Sequence, residues 1–240
     1  MPILGLGFDA ISAHIKKIRP KVVGIQNRST YSFPIVEKAA RSVKQSHPEI
    51  PVLVGGTHVS YNPVDSLQVC DAIDYIMAGE AEISLPRLLE VLIRGENKDI
   101  EVSHIEGIAY RDSAGIIQCT PRFIPVEDLS SIPNPDLDLI PIDRYIERQE
   151  RYIIDIGRGC LFNCPYCTSE YVNGRIRYST ADHVLKEILI AYKRGFKKFY
   201  FFDNMFTANK ALVMEVCQKI VNTGISITWP CMTNVGKVDD

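Results

Sequence analysis

Three cysteines fall within eight positions of the chain, in the run Gly157-Arg158-Gly159-Cys160-Leu161-Phe162-Asn163-Cys164-Pro165-Tyr166-Cys167, spaced C-x3-C-x2-C. Thiolates this close in sequence can converge on one metal centre, and soft sulfur selects an iron–sulfur cluster, zinc or copper(I). Structural zinc takes four protein ligands, usually as two short pairs. No fourth ligand is local here, because Cys217, Cys231 and His183 fall on predicted helix or strand far along the chain. A [4Fe–4S] cube held by three cysteines instead leaves one iron open to an exogenous ligand. Gly157 and Gly159 let the backbone bend around a bulky cluster, and Tyr166 offers an aromatic wall beside it. The chain has seven cysteines, an odd number, and their crowding fits a reducing cytosol and a bound metal better than a disulfide framework.

A metal loop needs a rigid strand ahead of it, and Tyr152-Ile153-Ile154-Asp155-Ile156 reads as one. Ser179 or Thr180 then caps a helix running to Arg194, with Gly195 just past its end. Residues 198–202 form the next strand, Thr207 caps a helix to about Asn222, and residues 225–229 form a third strand. Strand-helix-strand repetition implies a parallel sheet with right-handed crossovers. Three strands cannot close a barrel. The expectation is a piece of a longer protein, with another helix due to begin at Val238-Asp239-Asp240.

The first half alternates in the same way. A helix over 9–19 carries Ile11, Ile15 and Ile18 on one face and stops at Pro20. Strands follow at 21–25, at 51–54 ending in Gly55-Gly56, and at 74–77 ending in Gly79-Glu80. Between them Ser32 opens a helix with Val36, Ala39, Ala40 and Val43 inward, and residues 82–94 form another, closed by Gly95. Residues 107–111 and 116–120 flank Asp112-Ser113-Ala114-Gly115 and read as a hairpin, a small β appendage to the α/β layer. From Pro121 to Ile142, five prolines interrupt any helical or strand period, which predicts an extended connector. The expected organisation is an α/β domain over 1–120, a connector over 121–147 and a second βα domain over 148–240.

Composition excludes several classes. The 240 residues carry 27 Lys+Arg against 29 Asp+Glu, so no basic excess drives nucleic-acid or anionic-membrane binding. Hydrophobic content of 46% with 23% charged argues against disorder. No apolar run reaches the length of a membrane span. Met1-Pro2-Ile3-Leu4-Gly5 lacks the features of a secretory signal, so a cytoplasmic protein is expected.

The pattern C-x3-C-x-(aromatic)-C directly after the first strand of a βα repeat, with Arg158-Gly159 before it and Pro165-Tyr166 beside its last cysteine, resembles the radical S-adenosylmethionine superfamily. Pro20-Lys21-Val22-Val23-Gly24-Ile25, Pro51-Val52-Leu53-Val54-Gly55-Gly56-Thr57-His58 and Asp74-Tyr75-Ile76-Met77-Ala78-Gly79-Glu80-Ala81-Glu82 resemble the cobalamin-binding domain fused to many of these enzymes, as does Ile132-Pro133-Asn134-Pro135-Asp136. The chain is thus similar to B12-binding-domain radical S-adenosylmethionine proteins. That resemblance implies an incomplete Rossmann-like cobalamin domain followed by the first three βα units of a partial TIM-type barrel.

It also implies that Cys160, Cys164 and Cys167 ligate a [4Fe–4S] cluster whose open iron chelates S-adenosylmethionine. One-electron reduction, drawn from an external donor such as flavodoxin or ferredoxin, then gives methionine and a 5′-deoxyadenosyl radical. Tyr166, Asp203 and Asn204 are placed in S-adenosylmethionine binding, the last two at the position of the family's second-strand motif, whose glycine-glycine-glutamate form is absent. Gly55, Gly56, His58, Gly79 and Glu80 are placed at cobalamin. The implied reaction is methyl transfer to an unactivated carbon of a small or natural-product-like substrate, with no catalytic side chain assigned. A non-methylating cyclase or rearrangement enzyme, or a non-catalytic zinc-binding interaction module, are the alternatives.

Two departures stand out. None of His14, His47, His58, His104 or His183 lies in a D-x-H-x-x-G motif, so no imidazole is expected below cobalt. The opening strand and helix usual in such a domain are also missing before Gly5.

Overall fold

Ile11 and Ile15 turn α1 (Phe8–Ile18) toward the first core, and Arg19 ends it in the left-handed conformation just before Pro20. The computed structural model describes residues 7–95 and 98–238, and the chain divides into two units, Met1–Val126 and Glu127–Asp240. The expectations for residues 1–5 and for Asp239-Asp240 lie outside the described residues.

In the first unit β1 (Val23–Gln26), α2 (Phe33–Ser46), β2 (Val52–Gly55), α3 (Thr57–Tyr61), α4 (Pro63–Val69) and β3 (Tyr75–Met77) follow in order. The three strands run parallel, Val23 opposite Val52 and Leu53 opposite Tyr75. Side chains alternate across the sheet. Val52, Val54 and Ile76 pack with Val36, Ala40 and Val43 of α2 on one face. Leu53 and Met77 pack on the other with Leu88, Val91 and Leu92 of α5 (Ser84–Arg94) and Val102 of α6 (Lys98–Ser103). With both faces covered, Val52 and Val54 are fully withdrawn from water, each burial favouring the fold by about 1.5–3 kcal/mol.

The hairpin is not an appendage. β4 (Ile108–Arg111) pairs antiparallel with β3, Ile76 opposite Ala109, and β5 (Ile117–Cys119) pairs with β4, giving one five-stranded sheet in sequential order. Ile108, Ala109 and Tyr110 are buried, so this strand belongs to the core.

The proline-rich segment is divided between the units at Val126, and its part from Glu127 on is ordered in the second. Asp128 and Asp136 accept from Ser130 and Asp138 N–H and cap two short 3-10 turns, and α7 (Asp143–Glu147) follows. Prolines suppress long elements here without preventing single turns. Next come β6 (Tyr152–Ile154), β7 (Gly157–Arg158), α8 (Ser169–Asn173), β8 (Arg177–Tyr178), α9 (Ala181–Lys193), β9 (Phe199–Phe201) and α10 (Lys210–Thr223). β6 and β9 run parallel with α9 as their crossover, and Ile154, Ile156, Ile188, Phe199, Phe201 and Val216 share one core.

Thr180 caps α9 as expected, accepting from His183 N–H. α10 is capped by Asn209 rather than Thr207, because residues 206–208 form a 3-10 turn first. The strand expected over 225–229 is reduced to isolated bridges, Lys198 to Thr228 and Phe201 to Cys231. Pro230, which has no N–H to give the ladder, lies between them. The α/β class expected from the alternation is the one the chain adopts. Among the described residues no helix is long and apolar enough to cross a membrane.

Candidate functional site

Beyond β6 the chain enters β7, which pairs antiparallel with β8, Gly157 opposite Tyr178 and Arg158 opposite Arg177. This two-stranded neck carries the cysteine loop between its limbs. Gly159 takes φ 93, and a Cβ there would lie 2.5 Å from the Arg175 carbonyl oxygen, so only glycine fits where the limbs meet. Arg177 is buried and fastens the return limb, donating through Nε to the Arg175 carbonyl at 3.1 Å and through a terminal nitrogen to Asn173.

Cys160 and Cys164 are half-buried and Cys167 is exposed, all three as free thiols. Cys167 N–H donates to the Cys164 carbonyl at 2.9 Å, and Phe162 N–H lies 3.5 Å from Cys160 Sγ. An N–H directed at a ligand sulfur is one lever by which proteins set cluster potentials. Leu161, Phe162 and Tyr166 are exposed apolar side chains, Tyr166 by 87%. A cavity of about 340 Å³ beside the loop is lined by Cys160, Phe162, Asn163, Glu170 and Arg175. A hydrogen bond to Cys164 raises the Tyr166 phenol.

Among the described residues no three His, Cys, Asp or Glu side chains gather as they would around a single ion. A mononuclear centre requires its donors about 2.0–2.3 Å from one point. A [4Fe–4S] cube carries its ligands on separate irons, so three thiolates need not meet at a point. Three thiols on one loop are a soft donor set of the kind that iron–sulfur clusters take.

The end of β9 reaches the same loop. Asp203 is 4% exposed, and its Oδ1 accepts from Ile156 and Gly157 N–H at 3.0 and 2.7 Å. Burial pushes its carboxyl up to about 7, with Asp155 adding to the shift and the backbone N–H groups opposing it. Asn204 is exposed, and its Nδ2 donates to the Gly159 carbonyl at 3.2 Å and to Ser169 Oγ at 2.7 Å. Both side chains thus hold the cysteine segment, Asp203 through the Ile156 and Gly157 N–H groups just ahead of it and Asn204 through the Gly159 carbonyl and the Ser169 hydroxyl.

In the first unit, parallel register brings the residues after β1, β2 and β3 to one carboxyl edge. Gly56 takes φ 121, where a Cβ would strike the Asn27 carbonyl, so β2 can turn this close to β1 only through glycine. Asn27 is fully buried, and among the described residues its Oδ1 has no hydrogen-bond partner. That acceptor awaits a donor at the edge where a planar ligand is expected.

His58 packs on Phe33 with centroids 5.0 Å apart, lies 3.0 Å through Nδ1 from Thr30 Oγ1, and has its pKa lowered by burial. Gly55 pairs with Met77 across β2 and β3, Gly79 N–H donates to Ser60 Oγ, and Glu80 Oε2 accepts from Val126 N–H.

Sequence reasoning did not find the β7–β8 neck, whose signal is the alternation in Arg175-Ile176-Arg177-Tyr178. It also passed over a partly buried network beside β6. Tyr152 OH donates to Glu187 at 3.0 Å, and Asn134 Nδ2 lies 3.2 Å from His183 Nε2. Asp155 and Glu187 line the same cavity of about 220 Å³, both carboxyls raised by burial.

Residues 3–89 match the B12 binding domain family. An uncharacterized methyltransferase of Pyrococcus horikoshii is 29% identical over 98% of this chain and 50% of its own length. The anaerobic magnesium-protoporphyrin IX monomethyl ester cyclase of Rubrivivax gelatinosus is 27% identical over 96% of this chain and 42% of its own. Among solved structures, the radical S-adenosylmethionine methyltransferase TsrM from Kitasatospora setae shares the fold, with TM-score 0.74 and 18% identity over 90% of this chain and 43% of that one. The cobalamin-dependent S-adenosylmethionine radical enzyme OxsB matches with TM-score 0.74 and 18% identity, over 94% of this chain and 32% of its own. The chain spans half or less of the length of these relatives.

Proposed function

The chain carries a B12 binding domain and the fold of radical S-adenosylmethionine proteins, and from that premise we propose that it works as a cobalamin-dependent radical enzyme, with methyl transfer to an unactivated carbon as its reaction. The observation that carries this reading is the C-x3-C-x2-C loop set after the first strand of a βαβ unit, in a chain whose opening residues match the B12 binding domain. When bound, a three-cysteine [4Fe–4S] cluster supplies one electron for reductive cleavage of S-adenosylmethionine, and cobalamin supplies a methyl carrier.

Cys160, Cys164 and Cys167 are the thiols that would hold the cluster. Tyr166 and Asn204 are exposed beside them; the Tyr166 side chain and the Oδ1 of Asn204, whose Nδ2 is engaged by Gly159 and Ser169, are the groups offered to S-adenosylmethionine. Asp203, buried with Oδ1 on Ile156 and Gly157 N–H, acts from behind. Gly55, Gly56 and His58 would line the cobalamin edge, with a neutral His58 imidazole. Gly79 and Glu80 shape that edge through their bonds to Ser60 and Val126. We assign residues 1–120 to the cobalamin domain, 121–147 to the connector and 148–240 to the radical core.

The substrate is a small or natural-product-like molecule and the electron comes from a flavodoxin or ferredoxin. A ring-closing relative is the second reading, favoured by the cyclase of Rubrivivax gelatinosus. The test is anaerobic incubation of the reconstituted full chain with S-adenosylmethionine and dithionite. Formation of 5′-deoxyadenosine supports the radical reading, and its absence with an intact cluster contradicts it. Transfer of label from the S-adenosylmethionine methyl group to cobalamin separates methylation from ring closure.

A further inference from the structure

Gly159 and Ser169 bracket the three cysteines, and a single side chain joins them. Asn204 Nδ2 donates to the Gly159 carbonyl at 3.2 Å and to Ser169 Oγ at 2.7 Å. Asp203 holds the residues just upstream: Oδ1 accepts from Gly157 N–H at 2.7 Å and from Ile156 N–H at 3.0 Å, while Oδ2 lies 3.2 Å from Ile156 N. Two consecutive residues at the end of β9 thus hold both the approach to the cysteine segment and its closure. The acceptors of Asp203 are engaged with backbone in a site only 4% exposed, which leaves it little reach toward a ligand.

Closing a loop of this length costs conformational entropy, and a loop closed in advance spares its ligand that cost. We infer that Asp203 and Asn204 are positioning residues that close the cysteine loop before metal arrives and hold its three thiols ready for a cluster. The purpose of the closure rests on the cluster reading above; the closure itself does not.

Hydrogen exchange on the metal-free full chain tests the closure, comparing wild type with Asp203→Ala, Asp203→Asn and Asn204→Ala. Removing the carboxylate leaves two buried N–H donors without an acceptor, so Ile156 and Gly157 amides should exchange about tenfold faster or more in Asp203→Ala. Asn204→Ala should accelerate exchange across residues 160–168. Val54 and Ile76 amides in the first unit should not change in either variant. Asp203→Asn keeps the Oδ1 acceptor and should restore slow exchange.

Iron release to a chelator from anaerobically loaded chains should follow the same order, about tenfold faster in Asp203→Ala and Asn204→Ala and near wild type in Asp203→Asn. Unchanged exchange in both alanine variants overturns the inference, and so does changed exchange with unchanged iron release. If Asp203→Ala unfolds the second unit as a whole, Asn204→Ala and Asp203→Asn decide on the same readouts. A wild-type chain that takes up no iron while the exchange differences persist refutes the cluster reading and leaves the closure standing.

Discussion

Asn27 and Asp203 do the same mechanical job in the two units with opposite chemistry. Each follows a parallel strand, is buried, and fixes a loop through side-chain hydrogen bonds. Asn27 donates to the Ser29 carbonyl at 3.0 Å and Ser32 Oγ at 2.9 Å, with Gly56 packed against its own carbonyl. Asp203 accepts from Ile156 and Gly157 N–H instead. The loop of the first unit is set by a neutral amide and close backbone contact, and that of the second by an ionisable group. A neutral fixture is indifferent to pH, whereas a buried carboxyl raised to about 7 is not.

The largest expected effect separates the cysteines of the two units. Replacing Cys160, Cys164 or Cys167 by alanine should abolish iron retention and S-adenosylmethionine cleavage, while Cys70→Ala or Cys119→Ala should keep about four irons per chain, as counted by metal analysis. Equal sensitivity across all five would remove the distinction.

Next are the close glycines. Gly56→Ala and Gly159→Ala each force a Cβ into backbone at positive φ and should lose about 2–4 kcal/mol in denaturant unfolding. Gly115, also at positive φ but with open space around it, should lose only about 1 kcal/mol.

A pH series sharpens the contrast. Asp203 binds its proton more tightly folded than unfolded, so between about pH 4 and 7 the unfolded chain has released more protons and stability of the second unit falls as pH rises. Asp155 and Glu187 shift in the same direction and add to the slope. Asp203→Asn should flatten part of it in urea titrations at several pH values. Asn27→Asp, which sets a carboxylate against the Ser29 carbonyl, should introduce a comparable slope into the first unit.

The smallest effect concerns helix caps. Thr180→Ala removes the acceptor for His183 N–H and should cost about 1 kcal/mol by thermal melting. Ser32 makes no capping bond to α2, so Ser32→Ala acts through its lost contacts with Asn27 and Ser29, which are partly exposed, and should cost less.

The parallel strands and their helices were legible because Val52, Val54, Ile154 and Phe199 announce buried strands and Thr180 announces a cap. The cysteine motif was legible for the same reason, being local. What stayed hidden was long-range. Asp203 could be placed near the loop by analogy, but its engagement with Ile156 and Gly157 backbone depends on β6 lying beside β9. The membership of β4 in the main sheet depends likewise on which edge its antiparallel partner leaves open. Pro230 was legible and passed over; its missing N–H interrupts the ladder between the bridges at Thr228 and Cys231.

Metal and sulfide content after oxygen-free reconstitution, read with low-temperature paramagnetic resonance of the reduced chain, tests the central claim most directly. About four irons and four sulfides per chain, with a resonance that shifts when S-adenosylmethionine is added, is the predicted result. One zinc, no sulfide and no resonance would contradict it.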